Sequence, residues 1–337
     1  MNSNETVTPQ ALHFVENSKS KEPAIKVGIS SCLLGQNVRF NGGHSRSNYC
    51  DDTLQNHFSF ETFCPEMAAG FGAPRPTLRL EGDPNAPRLA YSNKPGSNVI
   101  DEFLAPSQLY VETLDHLDGY ILMKKSPSCG LSRIKVYQEN GNPHTKQRSG
   151  LFTELLQKKY PYLPIEEDAR LNDPALRENF ILRVYAHHEF RHCVDAKLSM
   201  HALLEFHSRY KYVVMSQSQP AYKALGKLLS ENRSMSIIER RDCYFSTFME
   251  ALSKPAKRRN HCNTLMHLMG YLKRHVESSI RRDILNVIEQ YRRGEVNLTT
   301  PMTLLQHYLK HYGSEYVKQQ RYTSPYYPSE LGIRNQI

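Results

Sequence analysis

The chain has 337 residues, of which 39% are hydrophobic and 23% charged, a balance that is typical of a globular protein and argues against a disordered one. Its net charge is +9, and no apolar run approaches the roughly 18 residues of a membrane-spanning helix. The polar first 24 residues lack the apolar segment of a signal peptide, so we expect a cytoplasmic protein with a flexible tail over residues 1–24.

Residues 25–170 have the pattern of an α/β domain. Short runs rich in β-branched and aromatic residues predict strands over 25–31, 58–63, 77–82, 87–92, 120–125 and 134–142. Amphipathic stretches between them predict helices over 51–58, with an aspartate cap, over 106–119, capped by Ser107 and ended by Gly119, and over 149–161. Because strands alternate with helices, we expect a mostly parallel sheet.

The remainder of the chain, residues 171–337, has a different pattern. From about Leu176 the apolar residues recur at helical spacing, and Gly and Pro separate the apolar segments. This predicts an all-α C-terminal domain of about six to eight helices. The polar, acidic stretch PIEEDARLNDPALREN marks the joint between the two domains.

Three of the seven cysteines follow predicted strands, namely Cys32, Cys64 and Cys129. Ligands of parallel sheets bind beyond the carboxyl ends of the strands, so three thiolates from neighbouring strands would converge there. Thiolates favour zinc or iron–sulfur clusters, and three ligands leave one metal position open for a substrate. Buried free cysteines are also common as small apolar residues, so this pattern alone leaves both interpretations open.

Several segments of the chain resemble known families. SCLLGQNVRFNGG, FCPEMAAGFGAPRP and SPSCG resemble the three signature segments of the thiouracil desulfidase (TudS-like) family. The second half resembles a partner domain of the YbgA type in RLNDPALRENF, FHSRYKY, PAKRRNHCNTLMHLMGYLK, TPMTLLQHY and SPYYPSELGIRN. Together the resemblance covers about residues 25–337, and the fusion is similar to enzymes that remove sulfur from 2-thiouridine in tRNA.

The resemblance implies a cofactor and a reaction. Cys32, Cys64 and Cys129 would bind three irons of a [4Fe-4S] cluster, and the fourth iron would take the thiocarbonyl sulfur of the substrate. That iron would act as a Lewis acid, water would attack C2, and sulfur would leave as sulfide without net electron transfer. The predicted activity is a non-redox conversion of 2-thiouridine in tRNA to uridine.

Two types of side chain are candidates for handling the water and its proton. Glu66, two residues after Cys64, is our candidate base, because a carboxylate beside an apolar pocket is suited to proton transfer. The alternative is that Glu66 caps a helix starting at MAAG. Ser126 and Ser128 flank Pro127, and either hydroxyl would bind the water or the O4 edge of the base. We favour Ser126 for this catalytic role, with a serine cap on a tight turn as the alternative.

The segment VRFNGGHSR follows the first cysteine and is a candidate for substrate binding. Its two glycines allow a positive φ and a close backbone approach to a ligand. A turn with solvated charges is the alternative. The candidate substrate-binding residues here are Arg39, Asn41, Gly42, Gly43 and His44, together with Ser128; Arg46, Arg75 and Arg79 have weaker support.

The four other cysteines have no predicted metal role. Cys50 does not follow a clear strand, and we interpret it as a bystander thiol, although a thiol that reached the fourth iron would close the site. Cys193, Cys243 and Cys262 lie on predicted helical faces, where we expect them to pack.

The net positive charge comes almost entirely from residues 161–337, which fits either a solvated surface or a face that binds nucleic acid. We expect the helical half to bind tRNA through Lys254, Lys257, Arg258, Arg259, Lys273 and Arg274. Stacking on RNA bases is conceivable for four tyrosines, although packing is favoured for them: Tyr210, Tyr212, Tyr271 and Tyr308. Two other functions fit the sequence, a desulfidase of free thiouracil-type bases and a non-catalytic zinc-containing RNA-binding protein.

Overall fold

A computed structural model describes residues 24–231, 234–325, 327, 328 and 331. The tail predicted over residues 1–24 lies outside this part of the chain except for its last residue, and so does much of the SPYYPSELGIRN segment. In the part that is described, no helix is long and apolar enough to cross a membrane.

The α/β half has seven strands within the described residues. Four of them form a parallel sheet in the order β2-β1-β5-β7, which confirms the predicted parallel sheet. The central strands β1 and β5 are buried along almost their whole length, and this explains their continuous apolar sequence. In chain order the strands are β1 Lys26–Ser30, β2 Ser59–Phe63, β3 Leu78–Asp83, β4 Ala86–Tyr91, β5 Gly119–Leu122, β6 Val136–Tyr137 and β7 Ile165–Glu167.

A second, smaller sheet lies beside the first. Strand β3 pairs antiparallel with β4 and parallel with β6. Strand β7 was not predicted, because three residues of sequence IEE show no apolar alternation and fell in the expected joint. Its two glutamates are buried and bonded: Glu166 binds Arg170, and Glu167 accepts the backbone N–H of Leu131 at 2.8 Å.

Three helices belong to the α/β half, and two predictions about them were wrong. The helix expected over 106–119 instead spans Ile100–Val111, and Pro106 lies inside it. Its first turns form before this proline, where Phe103 is fully buried. No α-helix forms over 51–58, since Asp51 and Asp52 bind Arg46 and do not cap backbone N–H groups. The helices are α1 Pro65–Ala68, α2 Ile100–Val111 and α3 Leu151–Lys159.

The second half is helical, as predicted, with eight helices in the described residues. Asp173 caps the first of them, accepting from the N–H groups of Ala175 and Leu176 at 2.9 and 3.0 Å. The helices are α4 Pro174–Cys193, α5 Met200–Gln217, α6 Gln219–Glu231, α7 Ile237–Leu252, α8 Arg258–Met269, α9 Ser278–Arg293, α10 Thr299–Tyr312 and α11 Glu315–Lys318.

The main sheet is packed between the two groups of helices. Val27 and Ile29 of β1 share one apolar core with Phe180 and Val184 of α4 and with the rest of the helical half. The other face of the sheet packs with α2 and α3 in a second core, which contains Phe152. The helical half therefore completes the core of the α/β half.

A buried carboxylate strengthens this junction. Asp118, just before β5, binds three side chains of α4: His188 Nδ1 at 2.7 Å, Arg191 Nη1 at 3.0 Å and His187 Nδ1 at 3.4 Å. It also accepts the backbone N–H of Lys26 at 3.3 Å. Burial opposes its ionisation, but the hydrogen bonds from the histidines outweigh burial, and the pKa of Asp118 lies well below its usual range.

We expect the substitution Asp118→Ala to lower the free energy of unfolding by about 3–5 kcal/mol, because it leaves the partly buried guanidinium of Arg191 and the buried ring nitrogens of His187 and His188 without their carboxylate. Asp115→Ala is the matched control, since the side chain of Asp115 is 86% exposed and its loss should cost less than about 0.5 kcal/mol. Chemical denaturation of both variants measures the difference. Equal stabilities of the two variants would contradict a structural role for the Asp118 contacts.

Candidate active site

Three cysteines meet at one edge of the main sheet. Cys32 lies in a short 3-10 turn two residues after β1, Cys64 directly follows β2, and Cys129 lies in the loop after β5. Because these three strands are parallel neighbours, their carboxyl ends share an edge. All three cysteines line a single cavity of about 390 Å³.

Two of the three thiols, those of Cys32 and Cys129, are buried, and that of Cys64 is partly buried. Burial raises the pKa of Cys32 to about 12, and the neighbouring Cys64 adds to the shift. Burial likewise raises the pKa of Cys64 and, well above its usual range, that of Cys129. Burial therefore disfavours deprotonation of these thiols, and a bound metal would have to displace their protons.

Polar groups around two of the thiols favour the thiolate form. The N–H groups of Glu66 and Met67, at the start of α1, face Cys64. A hydrogen bond from Ser30 opposes the effect of burial on the pKa of Cys129. Thr153 holds the backbone at this position by donating to the carbonyl of Cys129 at 2.8 Å. Such contacts orient metal ligands in proteins.

Glu66 also lines the cavity, and both of its carboxylate oxygens are bonded. Arg75 binds Oε2 through two nitrogens, with Nε at 3.0 Å, and Ser128 donates its hydroxyl to Oε1 at 2.8 Å. The side chains of Arg75 and Glu66 are 4% and 14% exposed. The carboxylate is thus fixed by a buried cation and does not lie in purely apolar surroundings. Arg75, a weaker candidate from the sequence, is its closest partner.

The two serines occupy different positions. Ser128 is fully buried and bonded to Glu66. Ser126 lines the cavity, and its Oγ accepts the N–H groups of Ser128 and Cys129, each at 3.1 Å. Ser126 thus caps a tight turn, as the alternative interpretation expected. Its own hydroxyl hydrogen is still available to a ligand, because Oγ is the acceptor in both bonds.

Of the candidates in VRFNGGHSR, Arg39 lines the cavity. Asn41, Gly42, Gly43 and His44 do not contribute to its lining. They form a tight turn, in which Gly42 has a φ of +74° and donates to the carbonyl of Arg39 at 2.9 Å, and Asn41 Oδ1 accepts from the N–H of Gly43 at 3.1 Å. The nitrogen Nδ1 of His44 accepts the N–H of Arg46 at 3.2 Å. The structure therefore gives these four residues a role in the turn.

The remaining cysteines lie away from the cavity. Cys50 is fully buried in the main core, and burial raises its pKa to about 11. Cys262 is buried and Cys193 is partly buried, as expected of packing residues. The packing prediction is wrong for Cys243, which is exposed because it lies on the outer face of α7. Among the residues that the structure describes, no three His, Cys, Asp or Glu side chains are grouped so that they could hold one metal ion, and this includes Cys32, Cys64 and Cys129. The three thiols therefore suit a multi-iron cluster, in which each thiol binds a different iron, and not a single ion.

Other residues that line the cavity were not predicted. Two lysines, Lys124 and Lys125, come directly after β5, and Phe40 follows Arg39. Both lysines fall at the end of the predicted strand YILMKK and were therefore interpreted as strand residues. Their position immediately after a buried strand, at the same edge of the sheet as the cysteines, could have indicated that they line the cavity.

The basic residues of the helical half lie in three different surroundings. Lys254, Lys257 and Arg259 line a separate groove of about 840 Å³. Arg258 instead packs over the ring of Tyr291, at 4.8 Å from its centroid, and donates to the carbonyl of the same residue. Lys273 and Arg274 are exposed beyond the end of α8.

The four tyrosines are engaged within the protein. Tyr210 is buried and donates to Glu189 at 2.7 Å. The hydroxyls of Tyr212 and Tyr271 are 3.0 Å apart, and the ring of Tyr308 stacks on Tyr312. The prediction that they pack is confirmed.

Comparison with known proteins finds relatives of both halves of the chain. Escherichia coli K12 YbgA, an uncharacterised protein, is 33% identical over 162 residues, which are 47% of this chain and 94% of YbgA. The chain belongs to the YbgA family. Residues 211–327 match a family described as a protein of unknown function, DUF1722, and residues 27–168 match the family described as 2-thiouracil desulfurase. The protein thus joins a TudS-like domain to a YbgA-type domain, as the resemblance implied.

Two further relatives cover less than half of the chain. Bacillus subtilis YbbK, also uncharacterised, is 29% identical over 153 residues, which are 43% of this chain and 97% of YbbK. The solved structure of TudS, described as a [4Fe-4S]-dependent thiouracil desulfidase, is 29% identical and covers 46% of this chain and 97% of its own, with a TM-score of 0.36.

Gly150, the residue just before α3, allows the loop that carries Cys129 to pack closely against the start of this helix in the YbgA-family protein. A Cβ at Gly150 would lie 2.4 Å from the carbonyl oxygen of Ser128 and 2.9 Å from the nitrogen of Cys129. We expect Gly150→Ala to lower the free energy of unfolding by about 1–3 kcal/mol, because the backbone around Cys129 must shift.

Gly226→Ala is the matched control. A Cβ at Gly226, inside α6, meets no atom within 4 Å, and the change should raise the free energy of unfolding by about 0.5–1 kcal/mol. Denaturation curves of the two variants should move in opposite directions. A Gly150→Ala variant as stable as the wild type would show that the Cys129 loop tolerates displacement.

Proposed function

We propose that the protein is a [4Fe-4S]-dependent desulfidase that converts 2-thiouridine in tRNA to uridine. The observation that carries this proposal is the convergence of Cys32, Cys64 and Cys129 on one cavity that also holds the Glu66 carboxylate. The match of residues 27–168 to the 2-thiouracil desulfurase family and the description of the relative TudS support the chemistry.

The donor set fits an iron–sulfur cluster. Three soft thiol ligands come from three separate segments and surround a cavity of about 390 Å³, within the size range of ligand pockets. Hydrogen bonds and backbone N–H groups around the sulfurs are of the kind that tune such clusters. Cys32, Cys64 and Cys129 would hold the cluster, and three protein ligands leave one position for the substrate.

When bound, the cluster would supply a Lewis-acidic iron with affinity for sulfur. Water adds its oxygen to C2 of the base, the C–S bond breaks, and sulfur leaves as hydrosulfide, so the reaction requires no electron donor. The Glu66 carboxylate accepts a proton from the attacking water, and Arg75 and Ser128 hold it in place. The hydroxyl of Ser126 donates to the water or to the O4 edge of the base.

We expect Glu66→Gln to lower the rate of sulfide release by about 10²–10⁴-fold, because the proton acceptor is lost while the shape is kept. The measurement is sulfide release from thiolated tRNA by anaerobically reconstituted protein, with iron content and brown colour recorded for each variant. Glu102→Gln, at an exposed position of α2, is the control. A Glu66→Gln enzyme with a full cluster and full turnover would remove Glu66 from the mechanism.

The groove of the helical half supports tRNA as the substrate. Lys254, Lys257 and Arg259 line it together with hydrogen-bonding side chains such as Gln217 and Asn260. Cationic and amide groups of this kind bind the phosphates and sugars of RNA. A base in an anticodon loop is unpaired, so its entry into the cavity would cost less than extraction from a duplex.

Replacing Lys254, Lys257 and Arg259 by Gln should weaken tRNA binding and lower the slope of log K against log salt by about 2, since each lost phosphate contact removes about 0.7–0.9. A triple variant with the same charge change at the exposed residues Lys94, Lys135 and Lys158 is the control. Binding is measured at several salt concentrations. If tRNA binding of the wild type is insensitive to salt, the groove is not an RNA-binding site.

A desulfidase of free thiouracil-type bases is the second candidate, because the description of TudS names thiouracil. Sulfide release from thiolated tRNA and from 2-thiouracil, measured side by side, separates the two. A colourless protein that binds zinc and releases no sulfide would instead favour a non-catalytic RNA-binding function.

A further inference from the structure

A second cavity, the junction cavity, lies where the two halves of the chain meet. Its walls come from the segments before β5 and β7 in the α/β half and from α4 and α7 in the helical half. Its volume is about 420 Å³. Because it lies at the amino ends of β5 and β7, whereas the thiols lie at the carboxyl ends of the strands, the junction cavity is separate from the proposed reaction site.

A buried histidine presents an unused acceptor to the junction cavity. The side chain of His187 lines the cavity and is only 10% exposed. Its Nδ1 lies 3.4 Å from the Asp118 carboxylate, which accepts hydrogen bonds and has none to donate. Burial lowers the pKa of His187, so the neutral ring carries its hydrogen on Nδ1 and a lone pair on Nε2. Nε2 has no hydrogen-bond partner in the described part of the chain, and a ligand has to supply the donor.

The charges around the junction cavity favour a cationic ligand. Every cation of the lining already has a carboxylate partner: Lys159 binds Glu112, Arg191 binds Asp118, and Arg241 binds both Asp195 and Asp242. Asp115, which also lines the cavity, adds a further carboxylate. The carboxylates therefore outnumber the cations, so that an anionic ligand is repelled and an organic cation is attracted.

Part of the lining is apolar and comes from both halves. Leu117 and Leu163 of the α/β half are buried, as is Phe245 of α7. The ring of Tyr162 packs edge-on against Phe245, with 6.0 Å between the ring centroids, and stays 39% exposed. Methylene groups gain free energy on such a surface, and an aromatic ring face attracts an ammonium group. A hydrated metal ion would use neither feature.

We propose that the junction cavity binds an aliphatic di- or polyamine. One ammonium group donates to Nε2 of His187, and another lies at the exposed carboxylate of Asp242. The methylene chain between them packs on Leu117, Leu163 and Phe245. Because these walls belong to both halves, a bound amine stabilises the contact between them and hence the folded chain.

The probes are cadaverine and spermidine, titrated calorimetrically into RNA-free, full-length protein that has been reconstituted with iron and sulfide. We expect one saturable site and a rise of Tm that follows the concentration of free amine. The uncharged diol with the chain length of cadaverine should not bind, and Mg²⁺ at the same ionic strength should not displace the amine. If neither amine binds saturably or raises Tm, the proposal is overturned.

Two variants test the position of the amine. His187→Phe keeps an aromatic ring but removes Nε2, and Asp118 retains His188 and Arg191 as partners. It should raise the Kd of cadaverine about tenfold, the effect of one lost hydrogen bond to a charged group. Asp242→Asn should raise the Kd about 2–5-fold, because it removes an exposed ion pair.

Asp283→Asn is the matched control, with the same charge change at an exposed position of α9 outside the cavity lining, and it should bind as the wild type does. Hydrogen exchange gives an independent readout, since a bound amine should slow exchange in segments 159–163 and 241–245. If the unliganded His187→Phe protein has a lower Tm than the wild type, Asp242→Asn and the exchange rates decide. Amine binding that leaves both unchanged lies elsewhere on the protein and overturns the proposal.

Discussion

Parallel pairing of β2, β1 and β5 is the constraint on which the site depends. Parallel neighbours present their carboxyl ends on one side of the sheet, so residues that are far apart in the chain emerge close together. Cys32, Cys64 and Cys129 are brought to one cavity by this geometry and by short turns after the strands. The burial of β1 and β5 between two layers of helices fixes the register of the sheet and hence the positions of the thiols.

Around that arrangement, the chain separates negative from positive groups. The Glu66 carboxylate is fixed by Arg75 and Ser128 on one part of the wall. Arg39, Lys124 and Lys125 contribute cationic groups without a carboxylate partner among the described residues. Burial raises the pKa of the Cys32 and Cys129 thiols, so a bound metal would have to displace their protons. The lining thus offers separate surroundings for a metal and for a proton.

The sequence predicted the features that follow from topology. Strands such as β5 appear as unbroken apolar runs, and the position of each cysteine after a strand indicated that the three could converge. The metal-site interpretation depended further on the resemblance to the desulfidase family. The sequence did not predict features that depend on tertiary contacts. Strand β7 is short and acidic, and α2 begins before a proline, in turns where Phe103 is buried. The ion pair of Glu66 and Arg75 joins residues nine positions apart across a loop whose conformation no local sequence pattern predicts.

The single apolar core shared by β1 and α4 has a consequence for the two halves as separate pieces. Val27 and Ile29 of the sheet would lose their cover if the chain were cut at the joint, and Phe180 and Val184 would be exposed in turn. Each fragment would then expose apolar core residues to water on that side. The two halves of this protein are therefore more than tethered, since each contributes to the other's apolar core.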